Sequence, residues 1–175
     1  YTNKAFVSFM NSGEAGMDNA DAYKLLPMSP SERGVGIIDT EGNGLDISNL
    51  PYSHEGSISI PLDIMYLTLD EDYNFVTEEN DISMNWDLAS LPETITTITL
   101  TDNASGLITD LTQQSEITFS TEAKGSFLSY GSGGVNINPQ VGDARFQLTI
   151  GYGSARVVDD PVHTKFVRYT AYPNN

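Results

Sequence analysis

Apolar and polar side chains alternate along much of the chain, so that apolar residues recur at every second position. In residues 57–62 the apolar side chains all fall on one face of an extended segment, and residues 81–87 repeat this pattern. Successive side chains of a strand point to opposite faces of its sheet, so this period indicates half-buried strands rather than helices. The pattern therefore predicts a β-rich fold.

About ten segments of this kind recur at intervals of roughly 8–12 residues, separated by Gly, Pro, Asn and Asp. This spacing predicts an all-β fold, an antiparallel β-sandwich of the jelly-roll or immunoglobulin-like type. Little helix is expected, because only residues 19–26 could form a helical turn, with Asp18 or Asn19 as its cap. The predicted strands are residues 5–10, 34–38, 45–47, 57–62, 65–69, 81–87, 94–101, 115–121, 145–150 and 166–171.

Turn-forming and strand-breaking residues refine this picture. In residues 100–111, Asp102 and Gly106 separate two short apolar runs, which predicts a β-hairpin because Asp bonds its own backbone and Gly allows positive φ. Pro61 cannot donate to a sheet ladder, so its strand is expected to lie at an edge or to end there. Residues 125–134, rich in Gly and Ser, are predicted to form a surface loop.

Length and charge limit the classes of protein that fit. The 175 residues suit one domain, and we predict a sandwich over residues 1–153 with a final strand or connector over 154–175. Twenty-four Asp and Glu oppose eight Lys and Arg, for a net charge of −16. This charge argues against nucleic acid as a partner and against binding to an anionic membrane. No run approaches the roughly 20 apolar residues of a membrane span, so membrane insertion is not expected.

Oxygen-bearing side chains cluster in two loops. Asp18, Asn19 and Asp21 lie within four residues, and Asp70 and Asp72 lie in a second acidic loop. Since Ca²⁺ takes six to eight oxygen ligands, both clusters are candidate calcium sites. The alternatives are an Asx turn with a helix cap for the first cluster and a solvated loop for the second.

Aromatic residues offer a candidate carbohydrate site. Trp86, with Tyr130, could stack on sugar rings if its ring were exposed, whereas its phase within residues 81–87 favours packing in the core. An enzyme is not expected. The chain has no Cys, His54 and His163 are far apart, and no Gly-x-Ser-x-Gly motif precedes a predicted helix.

Four segments, taken in order, resemble the β-sandwich module found just before the C-terminal sorting domain in type IX-secreted proteins of Bacteroidota and relatives. The end of the chain, Ala171-Tyr172-Pro173-Asn174, resembles the start of such a sorting domain, although Asn175 stands where a second Pro is usual. The four segments are residues 9–25, which end in Asp21-Ala22-Tyr23-Lys24-Leu25, residues 44–51 with 58–62, residues 100–111 with 116–120, and residues 145–150.

The resemblance implies a non-catalytic accessory module of a secreted or cell-surface multidomain bacterial protein. Its role would be spacing, docking or export of a neighbouring domain, with calcium as a structural ion. Its partners would be other domains of the same chain and the type IX secretion machinery, reached through a sorting domain. Two alternatives stay open: a carbohydrate-binding module that takes a polysaccharide, and a self-associating adhesin or fibre subunit whose edge strands pair across protomers.

Overall fold

Strands are the only regular structure in the residues that the computed structural model describes. These are residues 4–14, 16, 18–24, 34–39, 44–52, 54–65, 67–72, 75–77, 81–88, 91–120, 128–131, 134–137, 144–153 and 165–173. They contain fifteen strands, more than the ten or so expected, and no helix, which confirms the all-β prediction. Hence none of these residues belongs to a helix that could cross a membrane.

The strands follow one another closely along the chain. They are β1 (Lys4–Met10), β2 (Ala22–Tyr23), β3 (Gly34–Ile38), β4 (Gly44–Pro51), β5 (Ser57–Met65), β6 (Leu67–Leu69), β7 (Phe75–Thr77), β8 (Asp81–Asp87), β9 (Ile95–Asp102), β10 (Ile108–Asp110), β11 (Glu116–Ser120), β12 (Leu128–Gly131), β13 (Gly134–Ile137), β14 (Phe146–Tyr152) and β15 (Lys165–Pro173). Most of the additional strands are short, such as β2 and β7, and lie in segments that the alternation of the sequence marks only weakly.

Eleven of these strands form one sheet. Its order is β10-β9-β14-β5-β3-β4-β1-β15-β8-β11, with β2 paired to β4 beside this path. Neighbours along the path are antiparallel except β1 and β4, which run parallel, so a purely antiparallel sheet is wrong at this pair. Parallel neighbours need a long crossover, and here the chain passes through β2 and β3 between them.

The hydrophobic core joins strands from opposite ends of the sheet order. Phe119 of β11 packs edge-to-face on Phe146 of β14, with ring centroids 4.8 Å apart. Every second side chain of β14 is buried, from Phe146 through Leu148 to Ile150. Each such side chain stabilises the fold by about 1.5–3 kcal/mol. Because β11 and β14 are not neighbours in the sheet, the sheet curves until both contribute to one core.

The predicted helical turn is wrong over residues 19–24. Ala22 and Tyr23 form β2 and pair with β4, so their backbone groups serve a sheet ladder. Asp18 Oδ1 accepts the backbone N–H of Ala20 at 2.6 Å, which makes the predicted Asx turn, but no helix follows it in the described residues. Residues 25 and 26 lie outside the described residues.

The position of Pro61 also differs from the prediction, because β5 is an interior strand that continues to Met65. Pro61 pairs with Gln147 of β14, whereas β3 pairs with β5 only from Leu62 onward. Pro61 therefore has a ladder partner on one side only, and this arrangement accommodates a residue without an N–H inside a sheet.

One segment predicted as a loop contains strands, and the strand predicted at residues 166–171 is present with slightly wider bounds. Within the predicted loop at residues 125–134, Leu128–Gly131 pairs with Gly134–Ile137 as a two-stranded hairpin. In the tail, Lys165–Pro173 forms β15, which lies between β1 and β8. The sheet thus extends past residue 153 and includes the final strand.

Gly13 is predicted to be intolerant of a side chain because it approaches the backbone of β4. A Cβ built at Gly13 would lie 2.5 Å from the Leu50 carbonyl carbon and 2.8 Å from the Asn49 carbonyl oxygen. We expect Gly13→Ala to lower the free energy of unfolding by about 1–3 kcal/mol in urea titrations, since backbone must move to make room. Gly16→Ala is the matched control, because a Cβ there meets no atom within 4 Å. Equal urea midpoints for the two variants would contradict this prediction.

Candidate functional site

A cleft opens between the strands that end the sheet order, β10 with its neighbour β9 on one side and β11 on the other. Its volume is about 340 Å³, which is at the small end of the range for ligand pockets. Eleven residues line it: Leu100, Asp102, Ala104, Ser105, Leu107, Thr109, Ile117, Thr118, Phe119, Ser120 and Arg145.

The β9–β10 hairpin that forms one wall is organised around Asp102. Its backbone N–H donates to the carbonyl of Leu107 at 2.8 Å, and its carbonyl accepts the N–H of Gly106 at 2.7 Å. Gly106 has a φ of 75°, so the predicted hairpin and its left-handed glycine are confirmed. The Asp102 carboxylate accepts the N–H of Ala104 at 2.9 Å and the hydroxyl of Ser105 at 2.8 Å.

Arg145 joins this hairpin to β11. Its Nε donates to Asp102 Oδ1 at 2.7 Å and its Nη2 donates to Asp102 Oδ2 at 2.9 Å, which is a bidentate ion pair. Its Nη1 donates to the carbonyl of Ser120 at 2.9 Å. Only 3% of Arg145 is exposed. One buried guanidinium thus connects the two walls of the cleft.

Two aromatic rings and several hydrogen bonds surround the Arg145–Asp102 ion pair. The Arg145 guanidinium lies 5.2 Å from the Phe119 ring centroid and 5.5 Å from that of Phe146, within cation–π distance. Burial raises the pKa of the Asp102 carboxyl, but hydrogen bonds from Arg145 and Ser105 outweigh burial and bring the pKa below its ordinary 3.8. Both Asp102 oxygens are engaged, so the pair orients backbone segments rather than presenting a free carboxylate to a reactant.

In the first predicted calcium cluster, the carboxylate oxygens of Asp21 accept hydrogen bonds from backbone N–H groups. Asp21 Oδ1 accepts the backbone N–H of Asn49 at 2.6 Å, and Asp21 Oδ2 accepts the N–H of Asp18 at 3.1 Å. Burial raises the pKa of Asp21. Asp18 Oδ2 is buried and has no hydrogen-bond partner among the described residues, and Asn19 is exposed in the turn.

The second predicted cluster forms the turn after β6. Asp72 donates its backbone N–H to Asp70 Oδ1 at 2.9 Å, another Asx turn. In the described residues, no group of three or more His, Cys, Asp or Glu side chains is arranged to hold a metal ion. Calcium binding therefore stays a prediction.

Asn49 is a structural residue that sequence reasoning missed. Its Nδ2 donates to the carbonyl of Ala20 and to Asp21 Oδ1, and its Oδ1 accepts the hydroxyl of the fully buried Ser8. These bonds tie the loop before β2 to both β1 and β4. The only available signal was a polar residue within an apolar strand, which does not identify its partners.

The carbohydrate candidates occupy different settings. Trp86 is 6% exposed, and its Nε1 donates to the carbonyls of Leu111 at 3.0 Å and Gln114 at 2.8 Å. A ring this buried has no free face on which a sugar could stack. Tyr130 lies on β12 opposite Val135, and its side chain is outside the described residues.

The cleft between β10 and β11 is thus the candidate functional site, with apolar side chains on its walls and the Arg145–Asp102 pair at one end. Sequence reasoning found the hairpin but neither the ion pair nor the cleft. The chain matches no protein-family model, and no significant match was found among curated proteins or solved structures. What the cleft does is therefore inferred from its own geometry.

Proposed function

We propose that this chain is a non-catalytic accessory β-sandwich module of a secreted or cell-surface multidomain bacterial protein of the type IX class. The observation that carries the proposal is where the four resembling segments lie. They cover the end of β1, all of β2, most or all of β4, β5 and β14, the end of β9, and all of β10 and β11, and these strands belong to one sheet. The resemblance therefore involves the strands that build the core.

The use of buried polar groups supports a structural role. Arg145 and Asp102 join two strand edges, and Asn49 joins a loop to two strands. Lys24 adds a third connection, since its Nζ donates to Asp46 Oδ1 at 2.5 Å and to the Lys4 carbonyl at 3.1 Å. Such networks stabilise a rigid unit, which is what a spacer or docking domain needs.

The sandwich type is part of the same proposal. Contact between Phe119 and Phe146 supports two packed layers, because β11 and β14 lie near opposite ends of the sheet order. The charge of −16 supports an exported role, since like charges keep a protein soluble and resist self-association.

The experiment is to express the full-length parent protein in a type IX-competent Bacteroidota host and in an isogenic strain that lacks the outer-membrane translocon. We expect the module on the surface or in the medium of the competent strain and retention in the periplasm of the deficient strain. A second arm deletes the module in frame. We expect fewer folded copies of the neighbouring domains at the surface, with the specific activity of each delivered copy unchanged.

Two results would overturn the proposal. Equal delivery by both strains would remove the type IX assignment. Loss of specific activity in correctly delivered, module-deleted protein would show that the module takes part in the chemistry of its neighbour.

A further inference from the structure

The cleft lies at an opening in the sheet, because β10 and β11 are the two ends of the strand order. An end strand has a partner on one side only, and its other side presents backbone N–H and C=O groups. Here two such edges border the same cleft.

Hydrogen bonds show which backbone groups of β11 face the opening. The carbonyl of Ser115 accepts the N–H of Trp86 in β8, whereas the carbonyl of Ser120 accepts Arg145 on the other side. Backbone groups of an antiparallel strand alternate between its two sides, so those of Glu116 and Thr118 point toward the opening with that of Ser120. No described residue bonds these groups of Thr118 on that side.

The same reasoning applies to β10. The carbonyl of Leu107 accepts the N–H of Asp102 in β9, and Leu111 donates its N–H to the carbonyl of Ile98. Because backbone groups alternate between the two sides of a strand, those of Ile108 face away from β9. Among the described residues, Ile108 has no backbone partner on its outer side. As far as the described residues show, both edges therefore keep free ladder positions beside the cleft.

Five of the eleven side chains that line the opening are apolar. Leu107, which lines the cleft, is 61% exposed, and Ile108 beside it is 65% exposed. They are two of the three large hydrophobic side chains that are exposed in the described part of the chain. Leu100, Ile117 and Phe119 form the apolar walls further in. Exposed apolar surface concentrated at one cleft is typical of a binding site.

Charge identifies the chemistry of the occupant. Asp110 and Glu116, both exposed, stand at the ends of β10 and β11, and Arg145, the one cation among the described residues of the lining, is already paired with Asp102. We propose that this cleft binds an extended, basic peptide segment of a partner protein, which adds as a strand to β11, buries alternate apolar side chains in the cleft and turns its Lys or Arg side chains toward Asp110 and Glu116.

A second copy of this chain fits the cleft less well. Each copy carries a net charge of −16, so two copies repel each other. The peptide site is additional to the role proposed above, which needs only a stable folded module, and it can fail without affecting the export experiment.

The experiment titrates the purified chain with an alternating Lys-Val peptide about seven residues long, acetylated and amidated, which matches strand addition. We expect saturable binding and slower amide hydrogen exchange at Thr118, whose backbone groups face the opening from β11. A Glu-Val peptide and a Lys-Val peptide with alternate backbone amides N-methylated serve as controls. We expect neither control to bind measurably, because one reverses the charge and the other lacks ladder donors.

Two charge-matched variants test the location. Leu107→Glu should raise the Kd of the Lys-Val peptide about tenfold or more, although the added carboxylate by itself would attract it. Gln114→Glu adds the same charge on the exposed turn between β10 and β11, and its Kd should stay within about twofold of the original. Leu107 is exposed, so its replacement should leave the fold intact.

Three results would overturn the proposal. The first is no saturable binding of the Lys-Val peptide. The second is equal binding by its N-methylated form, which would indicate charge attraction alone. The third is a dimer in sedimentation that Leu107→Glu dissociates, which would assign the cleft to a second copy.

Discussion

Arg145→Ala should lower the free energy of unfolding by about 3–5 kcal/mol, since removing one partner of a buried ion pair leaves the other charge buried alone. Asp102 would lose two charge-assisted bonds, and the carbonyl of Ser120 would lose its donor. The rings of Phe119 and Phe146 would also border a void where the guanidinium was. Urea titration followed by circular dichroism measures the change.

Two further variants distinguish the loss of the ion pair from other effects of substitution on stability. Glu116→Gln removes an exposed carboxylate close to the cleft and should change stability by no more than about 0.5 kcal/mol. Arg145→Met with Asp102→Leu removes both charges and should recover part of the loss, because apolar replacements of a buried pair are often neutral. A double variant as unstable as Arg145→Ala would show that lost packing, not the unpaired charge, explains the effect.

The pH dependence of the free energy of unfolding offers a second measurement on the same ion pair. The pKa of Asp102 is lower in the folded state than its ordinary 3.8, so the folded state favours the charged form. Its contribution to stability is complete above that value and is lost as the pH falls below 3.8 through the folded-state pKa. In Arg145→Ala this acid-sensitive contribution should shrink, because burial then acts on Asp102 against only the hydrogen bonds from Ser105 and Ala104.

Trp86→Ala should be similarly destabilising, by about 3–5 kcal/mol, because it empties a large volume in the core. Trp86→Phe keeps most of that volume but leaves the carbonyls of Leu111 and Gln114 without the indole donor, so a smaller loss of about 1–3 kcal/mol is expected. Urea titration followed by circular dichroism applies to both variants, since the fluorescence of the single Trp is lost.

The control for Trp86 is Tyr23→Ala, which truncates an aromatic side chain that is 57% exposed and should change stability little. In the unmodified protein, Trp86 emission should be blue-shifted and poorly quenched by iodide. A red, readily quenched emission, or a stable Trp86→Ala variant, would contradict the buried position and return this residue to the carbohydrate interpretation.

Local pattern was enough to predict much of the fold. Residues 81–87 alternate so regularly that β8 has the predicted bounds, and the Asp102 and Gly106 signals predicted the hairpin turn. Pro61 was misplaced because the register of β3, which leaves it unpaired on one side, is set by strands distant in sequence. The helical turn predicted over residues 19–24 was wrong for a similar reason, since pairing with β4 determines the conformation of Ala22 and Tyr23.

The candidate site was harder to predict because its parts meet only after folding. Arg145 and Asp102 are 43 residues apart, and Asn49 and Asp21 are 28 apart. Nothing local to either member indicates its partner. The cleft depends further on the curvature that brings β10 and β11 together, which no short segment encodes.

The position of β15 affects how the module responds to mechanical force. β15 runs antiparallel to β1, with Thr170 opposite Lys4 and Lys165 opposite Phe9. Any polypeptide leading into β1 and any polypeptide leaving β15 would therefore emerge at the same end of the sheet. Tension applied through both would open the β1–β15 ladder like a zipper, one hydrogen-bonded pair at a time, rather than shear all pairs together. The interior of the sheet, not its periphery, would then yield first under load.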